Sequence, residues 1–155
     1  MTANATGIFE GNTDVGENLR SGKVEHAAGS DEYRVTGGGA NIWSTADAFH
    51  FVYKRLSGDL DISADIDFVG SGVEPHRKVV LMVRQDLSAG SAYADVCVHA
   101  DGLTSLQFRR TAGGKTEEAR SSVRAPNRIR LERRGNSFRM QAGEVGHVAT
   151  STGPE

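Results

Sequence analysis

The sequence predicts an all-β fold, an antiparallel two-sheet β-sandwich, on three observations. Short apolar runs recur at roughly ten-residue intervals, the spacing of many short strands joined by tight turns. The chain is rich in Gly (19) and poor in Pro (3), and its runs are punctuated by Gly, Asp, Asn and Ser, which supply turn conformations. The stretch "DLDISADIDF" alternates strictly between apolar and polar residues, and no segment shows a helical period of comparable clarity. At 155 residues and 16.6 kDa the chain suits one domain with its own core, able to fold without disulfides or metals. The reading places the sandwich over residues 7–140 and an irregular or disordered tail over 141–155.

In chain order, "GKVEHA", "YRVTG" and "NIWS" are short strand candidates, with "TGGGAN" a flexible glycine turn leading into "NIW". Trp43 is assigned to the core, the usual place of a lone Trp. In "FHFVYK", Phe49, Phe51 and Tyr53 share one side and His50, Val52 and Lys54 the other. In "DLDISADIDF", Leu60, Ile62, Ala64, Ile66 and Phe68 face a core, while Asp59, Asp61, Asp65 and Asp67 form a wet outer face. The continuous apolar run "KVVLMVRQ" reads as a strand at the centre of a sheet, covered on both faces. "SAYADVCVHA" and "LTSLQFRR" follow after short turns, and the three form an antiparallel meander. "KTEEARS", "RIRLERR" and "NSFRMQ" complete the set of about ten strands. After Met140 alternation is lost, and the reading expects closing strands to be missing and a sheet edge to be left open.

Charge and composition exclude several functions. A net charge of −2 gives no overall field for nucleic acid or anionic lipid. Cys97 is the single cysteine, so no intrachain disulfide or cysteine-based zinc site can form. No apolar stretch is long enough to span a bilayer, and residues 1–7 lack the features of a signal peptide. As written the chain reads as soluble and unexported. The five histidines are scattered without ligand spacing, and no nucleophile elbow or phosphate loop occurs. No cofactor or metal is called for.

The strand phases point to a candidate binding face. With Val79, Leu81, Val83, Ala94, Val96, Val98, Leu106, Phe108, Ile129 and Leu131 inward, the opposite face collects Arg84, Tyr93, Asp95, His99, Gln107, Arg109 and Arg130. Such planar donors and acceptors beside an aromatic ring suit a hydroxyl-rich ligand. A one-sided sheet shows a polar face whether or not anything binds, and Arg84 and Asp95 are placed to form a cross-strand salt bridge. His76 and Arg77, in "EPHRKVVLMVR", sit at a strand mouth near the rim of this face, behind Pro75 in the lead-in.

The blocks "GIFEGNTDVG", "ADAFHFVYKRLSGDLDISADIDFVG", "PHRKVVLMVRQDL", "SAYADVCVHADGLTSLQFRR" and "APNRIRLERRGNSFRM" resemble the concanavalin A-like β-sandwich module of bacterial proteins associated with Tol-type β-propellers. The resemblance implies a jelly roll and a carbohydrate-binding or interaction role without settled catalytic residues. The ligand-binding positions then expected are His76, Arg77, Arg84, Tyr93, Asp95, His99, Gln107 and Arg109. The expected partner is a saccharide or glycoconjugate, or alternatively a protein docked through an open sheet edge, with nucleic acid excluded. A glycan hydrolase is disfavoured, because the paired glutamates of the glucanase signature are absent from "DISADID".

Overall fold

The computed structural model describes residues 6–72, 74–144 and 147–152, with the side chains of 144 and 147–152 outside the description. Among these residues the chain is all-β. Its strands are β1 (Gly11–Val15), β2 (Lys23–Ala27), β3 (Glu32–Thr36), β4 (Asn41–Trp43), β5 (Ala46–Tyr53), β6 (Leu60–Asp65), β7 (Lys78–Arg84), β8 (Tyr93–His99), β9 (Thr104–Arg109), β10 (Glu117–Arg120), β11 (Arg128–Arg134), β12 (Ser137–Glu144) and β13 (His147–Thr152). Every ladder is antiparallel.

The meander forms a central sheet, in the order β10-β9-β8-β7. Alternation along its strands sends successive side chains into two different cores. On one face Val79, Leu81, Val83, Val96, Val98 and Leu106 pack with Ile62, Ile129, Leu131, Met140 and Ala142 of the sheet β13-β12-β11-β6. On the other, Val80, Met82 and Tyr93 pack with Val15, Ile42, Phe49 and Phe51 of the sheet β1-β5-β4. The hairpin β2-β3 forms a sheet of its own. β8 is buried along its whole length because both its faces are covered. Each fully buried Leu or Ile of this kind contributes about 1.5–3 kcal/mol relative to exposure.

Three expectations change. The run "KVVLMVR" forms β7 at the edge of its sheet, not at the centre. Its continuous apolar pattern reports coverage of both faces, which is independent of whether a strand has one neighbour in the ladder or two. The tail is not irregular over the residues described: β12 runs to Glu144, and β13 pairs with it from Glu144↔His147 to Arg139↔Thr152. Ladder hydrogen bonds hold this segment, so apolar alternation is not needed to make it a strand. The glycines of "TGGGAN" serve close approach, not flexibility. A Cβ on Gly39 would run into the carbonyl of Ala48, and one on Gly38 would lie 2.6 Å from the carbonyl of Arg20.

The aspartate row behaves as expected. Asp61 and Asp65 are exposed on the outer face of β6, where Arg130 Nε donates to Asp61 at 2.6 Å, Arg134 at 3.0 Å and Arg128 donates to Asp65 at 2.8 Å. The two arginines hold the Asp61 carboxyl down at about 2. A shallow depression over Ser63, Arg128, Arg130 and Gln141 lies on this outer face, with Arg128 and Arg130 already ion-paired.

Candidate functional site

Antiparallel register brings the residues of the expected binding face together. Met82, Asp95, Gln107 and Glu118 form one rung across β7, β8, β9 and β10, flanked by Arg84–Tyr93–Arg109 on one side and Cys97–Ser105 on the other. The face is enclosed, however, and not an open groove. Asp95 and Ser105 are 0 % exposed, Arg109 1 %, Gln107 2 %, His99 4 % and Tyr93 5 %. The sheet β1-β5-β4 covers this side of the meander, so the residues that single-sheet reasoning puts in water lie between layers.

One end of the face is a closed ion cluster. Arg109 donates bidentately to Asp47, at 2.8 Å to each carboxylate oxygen, and Arg84 donates to Asp47 Oδ2 at 3.0 Å. The remaining guanidinium donors are also engaged. Those of Arg109 reach the carbonyls of Ser91 (3.0 Å), Gly114 (2.9 Å) and Ser44 (3.1 Å), and those of Arg84 the carbonyls of Asp86 (2.9 Å) and Ser88 (2.7 Å). Ser44 adopts φ 54°, a left-handed conformation that costs a non-glycine residue energy, and its carbonyl also accepts from Thr116. The Tyr93 ring lies against both guanidinium groups, at 5.0 Å from Arg109 and 5.7 Å from Arg84. Burial pushes its hydroxyl pKa up.

Arg84 and Arg109 therefore act as scaffold. The salt bridge expected between Arg84 and Asp95 is replaced by one between Arg84 and Asp47. Asp47 was missed because it precedes the aromatic stripe of β5. Its odd-numbered phase, shared with buried Phe49, is the signal that could have found it.

The middle of the face has the opposite character. Asp95 Oδ1 and Oδ2, Ser105 Oγ, Gln107 Oε1 and Glu118 Oε1 are buried oxygens that make no hydrogen bond of good geometry among the described residues, the Gln107 backbone N–H being the donor nearest in register to Asp95. Arg120 Nε approaches Glu118 Oε1 only to 3.5 Å. Desolvation raises the Asp95 pKa well above the usual carboxylate range. The cations of Lys78 and Arg84 and the Gln107 backbone N–H offset this in part, and Asp47 adds to it. Burial likewise pushes the Cys97 thiol up. A buried polar group without a hydrogen bond costs about 1–3 kcal/mol, so a row of them is a feature that calls for hydrogen-bonding partners.

At the other end of the face the chain reaches the surface. Lys78 donates to Asn41 and, at 3.0 Å, to the carbonyl of Ile42, and its ammonium lies 5.8 Å from the Trp43 ring. Trp43 is 37 % exposed, so the core assignment does not hold; its side of the short edge strand β4 faces outward. His99 is held by the Leu103 carbonyl at 3.0 Å and meets the exposed His76 ring edge-on at 5.8 Å. Burial lowers the His99 pKa. Arg77 is directed elsewhere, to the Gly70 carbonyl and the Phe68 ring. β4 is thus tied to Lys78 by its first two residues, and to Arg109 by the carbonyls of Trp43 and Ser44, so it straddles β8.

Among the described residues no group of three or more His, Cys, Asp or Glu side chains is arranged to hold a metal ion, and no helix is long and apolar enough to cross a membrane. Compared with known proteins, the chain matches no family model, no curated protein and no solved structure.

Proposed function

We propose that this chain is a non-catalytic binding module of the concanavalin A-like jelly-roll type, and that its ligand is a saccharide or glycoconjugate. The observation that carries the reading is the row of buried oxygens on Asp95, Ser105, Gln107 and Glu118 that lack a well-formed hydrogen bond, Glu118 meeting only Arg120 at 3.5 Å. A polyol presents several hydroxyl groups a few ångströms apart, each able to donate and to accept, the complement of that row. Asp95 and Gln107 are the central ligand-gripping pair, Ser105 and Glu118 extend it along and across the sheet, and Tyr93 and the two arginines hold the strands in place behind it. His76, His99 and Trp43 mark the surface end.

Access runs through β4. It spans three residues, pairs with β5 alone, and is fastened to the central sheet chiefly through Lys78, Arg109 and the Ile42 side chain. A ligand that replaces the Lys78 contacts and lifts β4 gains the acceptor row in exchange.

Calorimetric titration of the whole chain with neutral and acidic oligosaccharides tests this. The expected result is exothermic binding of one sugar class with no release of reducing ends. Reducing-end release would instead favour hydrolysis, with Asp95 as a raised-pKa acid. No heat from any sugar in a broad panel would overturn the binding reading.

A further inference from the structure

The edge of the central sheet carries an inference independent of the ligand. The Arg77 carbonyl accepts from the Ala100 N–H, and the Gln85 N–H donates to the Ala92 carbonyl. With the β7-β8 register these bonds make the odd-numbered residues of β7 the hydrogen-bonded partners of β8. The backbone N–H and C=O groups of Lys78, Val80, Met82 and Arg84 consequently point away from the sheet, where β7 has no neighbouring strand among the described residues. All seven residues of β7 are half-buried, whereas β8 beside it is fully buried. An apolar edge of this length, without a bulge and without a paired strand among the described residues, is a template for another strand.

We propose that the occupant is β7 of a second copy of this chain, paired antiparallel about a twofold axis through Leu81. The sequence Lys-Val-Val-Leu-Met-Val-Arg is nearly palindromic. About that axis Val79 meets Val83 of the second copy, Val80 meets Met82, and Leu81 meets Leu81. The outward-pointing even residues become the hydrogen-bonded pairs, so the free backbone groups are matched in register. Both layers of side chains continue across the junction, since Val79, Leu81 and Val83 belong to one core and Val80 and Met82 to the other.

The ends bring a cation near a carboxylate. Lys78 falls opposite Arg84 of the second copy, but that guanidinium is buried and turned inward onto Asp47 at 3.0 Å. Just past the strand ends, the turn residue His76 and the loop residue Asp86 of the second copy come to the same corner of the junction as Lys78. Both His76 and Asp86 are exposed, and the twofold repeats the arrangement. The dimer joins two four-stranded sheets into one of eight.

Sedimentation of the full chain over a range of concentrations tests the proposal. The expected species at high concentration has twice the 16.6 kDa chain mass and dissociates on dilution. Val80→Pro removes an N–H that the monomer's own ladder does not use, as edge prolines do, and is expected to weaken the dimer about tenfold or more through the two bonds lost. Asp86→Asn keeps the turn acceptor for Ser88 but removes the charge, and is expected to give a weaker dimer whose affinity no longer falls with salt. Should Val80→Pro fail to fold, amide exchange of the wild type decides: Val80 and Met82 are expected to be protected at high concentration and to exchange freely at low. A chain that stays monomeric throughout, or a Val80→Pro dimer as tight as the wild type, overturns the proposal.

Discussion

Asp47→Asn is the sharpest probe of how the enclosed face is held together. The change preserves the size of the side chain and removes the charge that two buried guanidinium groups share, Arg109 through two bonds of 2.8 Å and Arg84 through one of 3.0 Å. Breaking a buried pair by neutralising one partner costs about 3–5 kcal/mol, because the stranded charge is then uncompensated. The carbonyls of Ser44, Ser91, Gly114, Asp86 and Ser88 still accept from the arginines, so the lower end of that range applies. For a chain of this size each kcal/mol moves the melting temperature by about 2–4 °C, so the expected drop is roughly 6–12 °C, read by calorimetry. Because the cluster is buried, the loss should persist at high salt, whereas the loss caused by Asp61→Asn on the exposed ladder should be small and fade with salt. An Asp47→Asn variant within about 1 kcal/mol of the wild type would refute the cluster's structural role.

Asp95→Asn should flatten the pH dependence of stability. The carboxyl pKa is raised on folding, so its contribution is complete below 3.8 and is lost as pH rises toward the folded value, by up to about 1.4 kcal/mol per pH unit. Urea unfolding should therefore show the variant gaining on the wild type as pH rises, with the gap closing below 3.8. Asp61 has the opposite sign: its pKa is lowered to about 2, so its stabilisation is present above 3.8 and disappears as pH falls through about 2. Leu131→Ala, at a 0 % exposed site between β6 and β12, should cost about 2–5 kcal/mol in the same assay without altering the other core.

Periodicity made much of this legible in the sequence. The alternation of Leu60, Ile62 and Ala64 against Asp61, Ser63 and Asp65 gives β6 its inner and outer faces, and the phases of β7, β8 and β9 group Asp95, Gln107 and Arg109 on one face. What alternation could not supply is the identity of the third layer. Whether a polar face meets water or another sheet depends on the path of β4 and β5, and that path is set by contacts such as Gly39 against Ala48 and Asp47 against Arg109. For the same reason Arg84 and Arg109 looked available to a ligand, although they bind acceptors distant in sequence. Ser105 and Glu118 escaped notice because a hydroxyl and a carboxylate in short strands carry no signal until the register sets them beside Gln107 and Asp95.

The most direct measurement of the central claim compares stability and sugar affinity in Gln107→Leu. This change replaces a 2 % exposed amide, whose carbonyl has no donor, with an apolar side chain of similar length. If the acceptor row serves a ligand and not the fold, the variant melts at or above the wild-type temperature and loses saccharide binding in calorimetry. A variant that melts lower while binding sugar as tightly as the wild type would show that the row belongs to the fold, and would contradict the account.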